Sequence, residues 1–323
     1  MLNGQQDQGE VMVEWYIEYE YWVAVVQLVL AMLGMGAGLR VADFQKVVLQ
    51  PKAVNVGLLM QLVIVPLVAF GFIVFTDLPS GMIIGIAIIA AIPGGTSSNI
   101  FTFMARGNVP LSISITALTS VACLVTTPLI LDFLIAEYMP ASFAMPTLRI
   151  AIEIGLCLLL PLLLGMAFLR RFPQYAQRFS TICVRGSLLG IAMIAAGSVG
   201  AGRLNIADTP TTDLVTLLGF IIGLTVIGIG LTKAFGLAHE DNTAIEMEVV
   251  VRNINLGFLL KVSLFPMVAG EVNQEVNQEL NAVADRVLLS LLLYGSWQLI
   301  MGVVLIFWRR RHTRGIIQAT SEA

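Results

Sequence analysis

The stretch AIPGGTSSNIFTF, residues 91–103, decides how this chain is read. It lies inside a long apolar run. Pro93, Gly94 and Gly95 interrupt that run, and five hydroxyl or amide side chains follow closely: Thr96, Ser97, Ser98, Asn99 and Thr102. Hydrocarbon offers no water to a freed backbone group. Irregular backbone at membrane depth is therefore tolerated only where it is buried in protein or lines a cavity.

The surroundings are those of a membrane protein. Hydrophobic residues make up 57% of the chain and charged residues 12%, against roughly 25% charged in soluble domains; the mean hydropathy is +0.88. Apolar segments long enough to cross ~30 Å of hydrocarbon are expected near 21–39, 53–75, 80–105, 109–135, 147–169, 181–200, 212–235, 243–266 and 283–308. The fold class is all-α, a polytopic bundle of about nine spans over 21–308. Residues 1–20 read as an acidic, polar N-terminal tail without the basic start of a signal peptide, and 309–323 as a second tail. No connector is long enough to fold alone. Cys123, Cys157 and Cys183 all sit in apolar segments without a CxxC or Cys/His pairing, and His239 and His312 lie in connectors. This inventory suits inert buried thiols and no metal cluster or haem.

Connector charge sets an orientation. Arg40, Lys46, Lys52, Arg106, Arg170, Arg171, Arg178, Lys233 and the RRRHTR run at 309–314 fall on one side if spans alternate. The positive-inside rule makes that side cytoplasmic and places the N-terminus outside, in a cell (inner or plasma) membrane. Glu153, Asp132 and Arg185 lie near span ends, where ordinary interfacial solvation accounts for them.

A second segment breaks the apolar pattern. AIEMEVVVRNINLGFLLKVSLF, residues 244–265, carries Glu248, Arg252, Asn253, Asn255 and Lys261 at mid-span. A charge there costs roughly 2.5–3.5 kcal/mol on translocon scales. Glu248 and Arg252 are four apart and would share a helix face, close enough to pair. Two interrupted spans, one in each half, point to inverted repeats and a secondary transporter. Half-helix N-termini suit an anion; freed carbonyls and side-chain oxygens suit a hard cation such as sodium. Lys261, about two turns past the break, would face the cavity or snorkel.

At these residues the chain resembles the bile acid:sodium symporter family in its nine-span form. The resemblance rests on MLGMGAGL (32–39) with the following GLRVADFQKVVLQPKAV, on GLLMQLVIVPLVAF (57–70) with Gln61, on IPGGTSSNIFTFMARGNVPLSISITAL (92–118), and on IEMEVVVRNINLGF (245–258). It implies two broken crossing helices, with breaks at Pro93, Gly94, Gly95 and around Asn255. It also implies a core domain (near 53–135 and 212–266 plus the last span) and a panel domain (near 21–39 and 147–200), with substrate bound between them. It implies a sodium held by Ser98, Asn99, Ser112, Thr116 and Glu248, an all-oxygen set. Taken alone, Ser112 and Thr116 could instead bond back to their own helix.

A second sodium site would use Gln61, Glu248, the backbone at Val249 and Val251, and residue 252. Here the chain departs from the family pattern: arginine stands for glutamine at 252, Asn255 for a glycine and Val250 for another. Three readings of Arg252 follow: it replaces the second sodium and pairs with Glu248, it grips a substrate carboxylate, or it forms a structural ion pair. One coupled sodium is expected rather than two. Thr96, Ser97 and Asn253 at the crossing, with Gln298 in the last span, are the substrate-binding candidates.

The expected function is secondary active transport of an organic anion, bile-acid-like or a small carboxylate, by alternating access and coupled to sodium. A sodium-independent uniporter or exchanger, or a non-transporting receptor on the same fold, is the alternative. No histidine, Asp pair or nucleophile motif supports an intramembrane hydrolase, so an enzyme is not expected, and no pore-ring pattern supports a channel. The partners are a small organic anion and the lipid bilayer, not nucleic acid; no oligomeric state is legible.

Overall fold

The computed structural model describes residues 2–40, 51–139, 145–204, 209–265 and 274–321, with side chains over 18–40, 51–139, 145–204, 209–265 and 280–311. Lys46 and parts of the connectors near 136–147 and 267–282 lie outside these residues. The chain is an all-helical polytopic membrane protein, and among the described residues there is no strand.

The elements, in order, are α1 (Leu2–Gly36), α2 (Pro51–Phe75), α3 (Ser80–Ala91), α4 (Thr96–Met104), α5 (Val109–Ile135), α6 (Thr147–Arg171), α7 (Pro173–Gly200), α8 (Thr211–Ala234), α9 (His239–Val250), α10 (Ile254–Leu264) and α11 (Gln274–Ser321). Among the described residues seven helices are long and apolar enough to cross a membrane. The other two expected spans are each split, into α3 plus α4 and α9 plus α10. The residues expected as a polar tail are helical in backbone from Leu2 onward. That stretch holds no proline, and the helix continues past the membrane-length segment Glu18–Gly36.

Two sets of helices pack mainly on themselves. In one, α1 lies along α7 and α6; in the other, α3 packs on α11 and α5, α9 on α8, α4 and α5, and α2 on α3. The sets meet where α1 runs beside α10 and where α5 meets α6. Glycines let the first set close up. A Cβ on Gly36 would stand 2.1 Å from the Leu162 carbonyl oxygen, and one on Gly34 3.0 Å from Val184. The MLGMG run is thus a small-residue packing face.

Two spans contain a π turn followed by proline. Met60–Ile64 precedes Pro66 in α2, and Gly155–Leu159 precedes Pro161 in α6. Proline cannot donate to the preceding turn, and the wider i→i+5 closure (Val65 N–H to Met60 O) absorbs the defect. The first of these turns carries Gln61.

Candidate ion and substrate site

The two breaks meet each other. Gly94 and Arg252 pair as an isolated antiparallel bridge: Gly95 N–H donates to Val251 O (2.9 Å), and Asn253 N–H donates to Pro93 O (2.9 Å). Several of the other freed groups are met from neighbouring helices. Arg252 N–H donates to Gln298 Oε1 (2.7 Å) and Tyr294 Oη donates to Val250 O (2.8 Å), both from α11. Thr127 of α5 donates to Ala91 O at 2.8 Å. Asn253 caps α10 by accepting from Leu256 N–H.

The glycines of the PGG run are needed for room. Gly95 has an ordinary extended backbone (φ −96°). A Cβ on Gly94, however, would lie 2.0 Å from Glu248 Oε2 and 2.9 Å from Gln61 Nε2, and one on Gly95 would lie 2.8 Å from Arg252 O. Glycine therefore lets the first break touch the acidic centre of the second.

That centre is Glu248, fully buried with Ser98, Ser112 and Thr116. Ser112 Oγ and Thr116 Oγ1 each stand 2.7 Å from Glu248 Oε1, and Ser98 Oγ donates to the same oxygen. Asn99 Oδ1 accepts from Ser112 Oγ at 2.8 Å. All five expected sodium ligands are thus in one cluster drawn from α4, α5 and α9. Thr116 does both things open to it: Oγ1 also lies 3.0 Å from Ser112 O of its own helix. A single hydroxyl hydrogen cannot serve both acceptors at once; directed to Ser112 O, it leaves the oxygen lone pairs of Thr116 facing the Glu248 carboxylate region.

Arg252 lies elsewhere than the i,i+4 pattern implies. The helix ends at Val250, so residues 248 and 252 do not share a face. Among the described residues no ion pair joins them. Gln61 stands between: its Nε2 donates to Glu248 Oε2 and Glu248 O, both at 3.2 Å, and its Oε1 accepts from Arg252 Nη1. The guanidinium instead caps the C-terminal end of α3. Nε donates to Ile89 O (3.2 Å), and Nη2 donates to Ala90 O (3.0 Å) and to Ile92 O. The direct Arg252–Glu248 pair is therefore corrected to a pair relayed by Gln61. Of the backbone groups expected at this second site, Val251 O is used in the bridge, and Val249 is a buried core residue near Gly228.

The substrate candidates divide. Thr96 and Ser97 open α4 half-buried, and neither hydroxyl has a hydrogen-bond partner among the described residues. Asn253 is buried, its amide facing Met32 Sδ at 3.9 Å. Gln298 Oε1 accepts from the Arg252 N–H, so this side chain props the break open; its Nε2 has no hydrogen-bond partner among the described residues. Asn255 is not part of the break. It sits in the first turn of α10, where its carbonyl accepts from Gln27 Nε2 (2.9 Å) and its Oδ1 from Ser187 Oγ (3.3 Å). Glu153 is buried and paired with Arg149, not solvated at an interface. Lys261 is 1% exposed and ion-paired to Glu20, so it does not snorkel.

Sequence reasoning missed Tyr294, Thr127, Gln27 and Glu20. Nothing local marks the first two; their partners are freed carbonyls far away in the chain. Gln27 and Glu20 did carry a signal, since polar side chains in or beside a span are costly.

Residues 25–209 match the Sodium Bile acid symporter family. The chain belongs to that family. The relatives agree. The "Uncharacterized sodium-dependent transporter YocS" of Bacillus subtilis is 29% identical over 248 residues, covering 76% of each chain. The "Probable sodium/metabolite cotransporter BASS1, chloroplastic" of Arabidopsis thaliana is 30% identical over 75% of this chain and 59% of its own. The human "Ileal sodium/bile acid cotransporter" is 27% identical over 72% of this chain and 67% of its own. Sodium-dependent transport, not enzymatic chemistry, is the common ground of this family. The crossing of broken helices described above falls partly inside the matched residues (Gly94, Ser98) and partly beyond them (Glu248, Arg252).

Proposed function

We propose that this symporter-family protein moves a small organic anion by alternating access, coupled to one sodium ion. The observation that carries this reading is the Glu248 carboxylate, fully buried among the oxygens of Ser98, Asn99, Ser112 and Thr116 where the two broken helices cross. A buried carboxylate met only by neutral donors retains a strong demand for a cation, and an all-oxygen set suits a hard one. Arg252 does not meet that demand, because Gln61 separates the two.

Arg252 instead takes the place of a second cation. Its guanidinium is surrounded by four oxygens, those of Ile89, Ala90, Ile92 and Gln61. It is 2% exposed, sits on the negative end of α3 and cannot lose its proton. A fixed cation in a carbonyl cage leaves no room for a mobile one. With its donors engaged on protein oxygens, it is also not the group that grips a substrate carboxylate. That task falls to the N-terminal turns of α4 and α10, with Thr96, Ser97 and Asn253. In this reading α1, α6 and α7 form the panel, the other helices form a core built as inverted repeats, and the Glu20 end of the bundle faces outward by the positive-inside rule.

Purified protein in sodium, potassium or choline chloride, followed by a panel of organic anions, tests the assignment. Thermal stabilisation is expected from sodium alone among the cations and then from a carboxylate in its presence. Flux into proteoliposomes should rise with sodium at a Hill coefficient of about one. No sodium response in either assay would overturn the reading.

A further inference from the structure

A second buried charged cluster lies away from the crossing. Lys261 Nζ is 2.6 Å from Glu20 Oε1, Arg203 Nη1 is 2.9 Å from Glu20 Oε2, and Arg203 Nε is 2.6 Å from Asp285 Oδ1. The Lys261 and Glu20 side chains are 1% and 4% exposed. Glu20 belongs to α1, and Arg203 follows the end of α7; Lys261 is in the last turn of α10 and Asp285 near the start of the membrane part of α11. Both outer pairs, Lys261–Glu20 and Arg203–Asp285, therefore cross from one helix set to the other.

Deeper along the same seam the contacts are polar but uncharged. Gln27 Nε2 donates to Asn255 O (2.9 Å), Ser187 Oγ donates to Asn255 Oδ1 (3.3 Å), and Asn253 Nδ2 faces Met32 Sδ (3.9 Å). From the crossing to the Glu20 end these contacts join the two sets. Toward the Arg309 end, among the described residues, the contacts of α4 and α9 are mainly within their own set. There α4 packs on α9, α5 and α11, and α9 on α8, α4, α5, α11 and α2, all of the same set, and α4 leaves Ile100 and Phe103 exposed.

We propose that Glu20, Lys261, Arg203 and Asp285 form the latch that closes the Glu20 side of the transport path, and that the latch parts each time the site opens to that side. The proposal rests on the transport reading; the four side chains are positioning residues that touch neither ion nor substrate. Their chemistry fits the task. A greasy seam exposes apolar surface to water when it opens. A buried ion pair, by contrast, recovers the hydration it lost on closing, so its net stabilisation is small although its geometry is specific. The latch therefore selects one closed register without locking it.

The test reads conformation, not transport, so its failure differs from failure of the sodium assignment. A Ser187→Cys reporter is placed in a protein whose Cys123, Cys157 and Cys183 are alanine. A membrane-impermeant maleimide is then applied to intact cells and, separately, to inverted vesicles. Lys261→Met should raise labelling from the Glu20 side about fivefold or more, the scale of a modest population shift. The double variant Glu20→Gln/Lys261→Met, which strands no lone charge, should do the same, and Lys261→Arg should label like the parent. Unchanged labelling in the folded double variant, from either face, would overturn the latch, as would equal gains from both faces.

Discussion

At the scale of single residues, the site depends on one carboxylate and on a missing side chain. Glu248→Gln keeps the shape and the hydroxyl contacts of Glu248 but removes the charge that calls for a cation. The parent protein should be stabilised by sodium as RT ln(1 + [L]/Kd), about 2.7 kcal/mol at a hundredfold excess over Kd, and the variant should melt at the same temperature in sodium and choline. A retained sodium shift would place the ion elsewhere. Gly94→Ala tests the close approach. Its methyl would fall 2.0 Å from Glu248 Oε2, so the carboxylate or the bridge must move, at roughly 1–3 kcal/mol for overpacking. Lower thermal stability together with a weakened sodium response is expected; a variant indistinguishable from the parent in both would show that the glycine is dispensable.

At the scale of elements, the broken helices persist because α11 props them. Gln298→Leu leaves the buried Arg252 N–H unmet, at about 1–3 kcal/mol, and Tyr294→Phe strands Val250 O. Both side chains attach to the same break, one turn apart, so their losses should not add in a double variant. Thermal melts check this. Were Gln298 a substrate contact, its loss would raise the KM for transport and leave the melting temperature alone. The same residues show what could be read from sequence. Both broken spans were legible because Pro93, Gly94, Gly95, Arg252 and Asn253 are costly in hydrocarbon and have few other uses there. The clustering of Ser98, Asn99, Ser112 and Thr116 around Glu248 was legible by resemblance, and the i,i+4 spacing of Ser112 and Thr116 agreed with it. The Arg252–Glu248 pair was misjudged because helical spacing was extended across a helix end at Val250. The support that Gln298 gives the break was hidden because its partner is a backbone N–H freed 46 residues earlier, which no local pattern reveals. The Glu20–Lys261 pair, 241 residues apart, is hidden for the same reason.

At the scale of the whole molecule, the proposed replacement of a second sodium by Arg252 predicts whether the membrane potential does work. If one sodium enters with one monovalent anion, the cycle carries no net charge. Accumulation then follows the sodium gradient alone, and uptake into proteoliposomes should be the same whether or not a potassium–valinomycin potential is imposed. In this structure Arg252 is held among the carbonyls of Ile89, Ala90 and Ile92 and the Gln61 amide, so in the proposed cycle it counts as part of the protein and not as a transported charge. Arg252→Gln removes the fixed cation and leaves those oxygens for a mobile one. The variant should then take up two sodium ions per anion, show a Hill coefficient rising from about one toward two, and become electrogenic. Each extra charge moved down 100 mV contributes ~2.3 kcal/mol, which at 1.4 kcal/mol per tenfold is a roughly 50-fold higher accumulation limit. Arg252→Met serves as the contrast. It strands the same carbonyls without supplying a side-chain oxygen, so it should lose stability in potassium and recover part of it in sodium, with little transport. A parent protein whose uptake is already driven by potential, or an Arg252→Gln protein that stays electroneutral while transporting, would show that the guanidinium is not standing in for an ion.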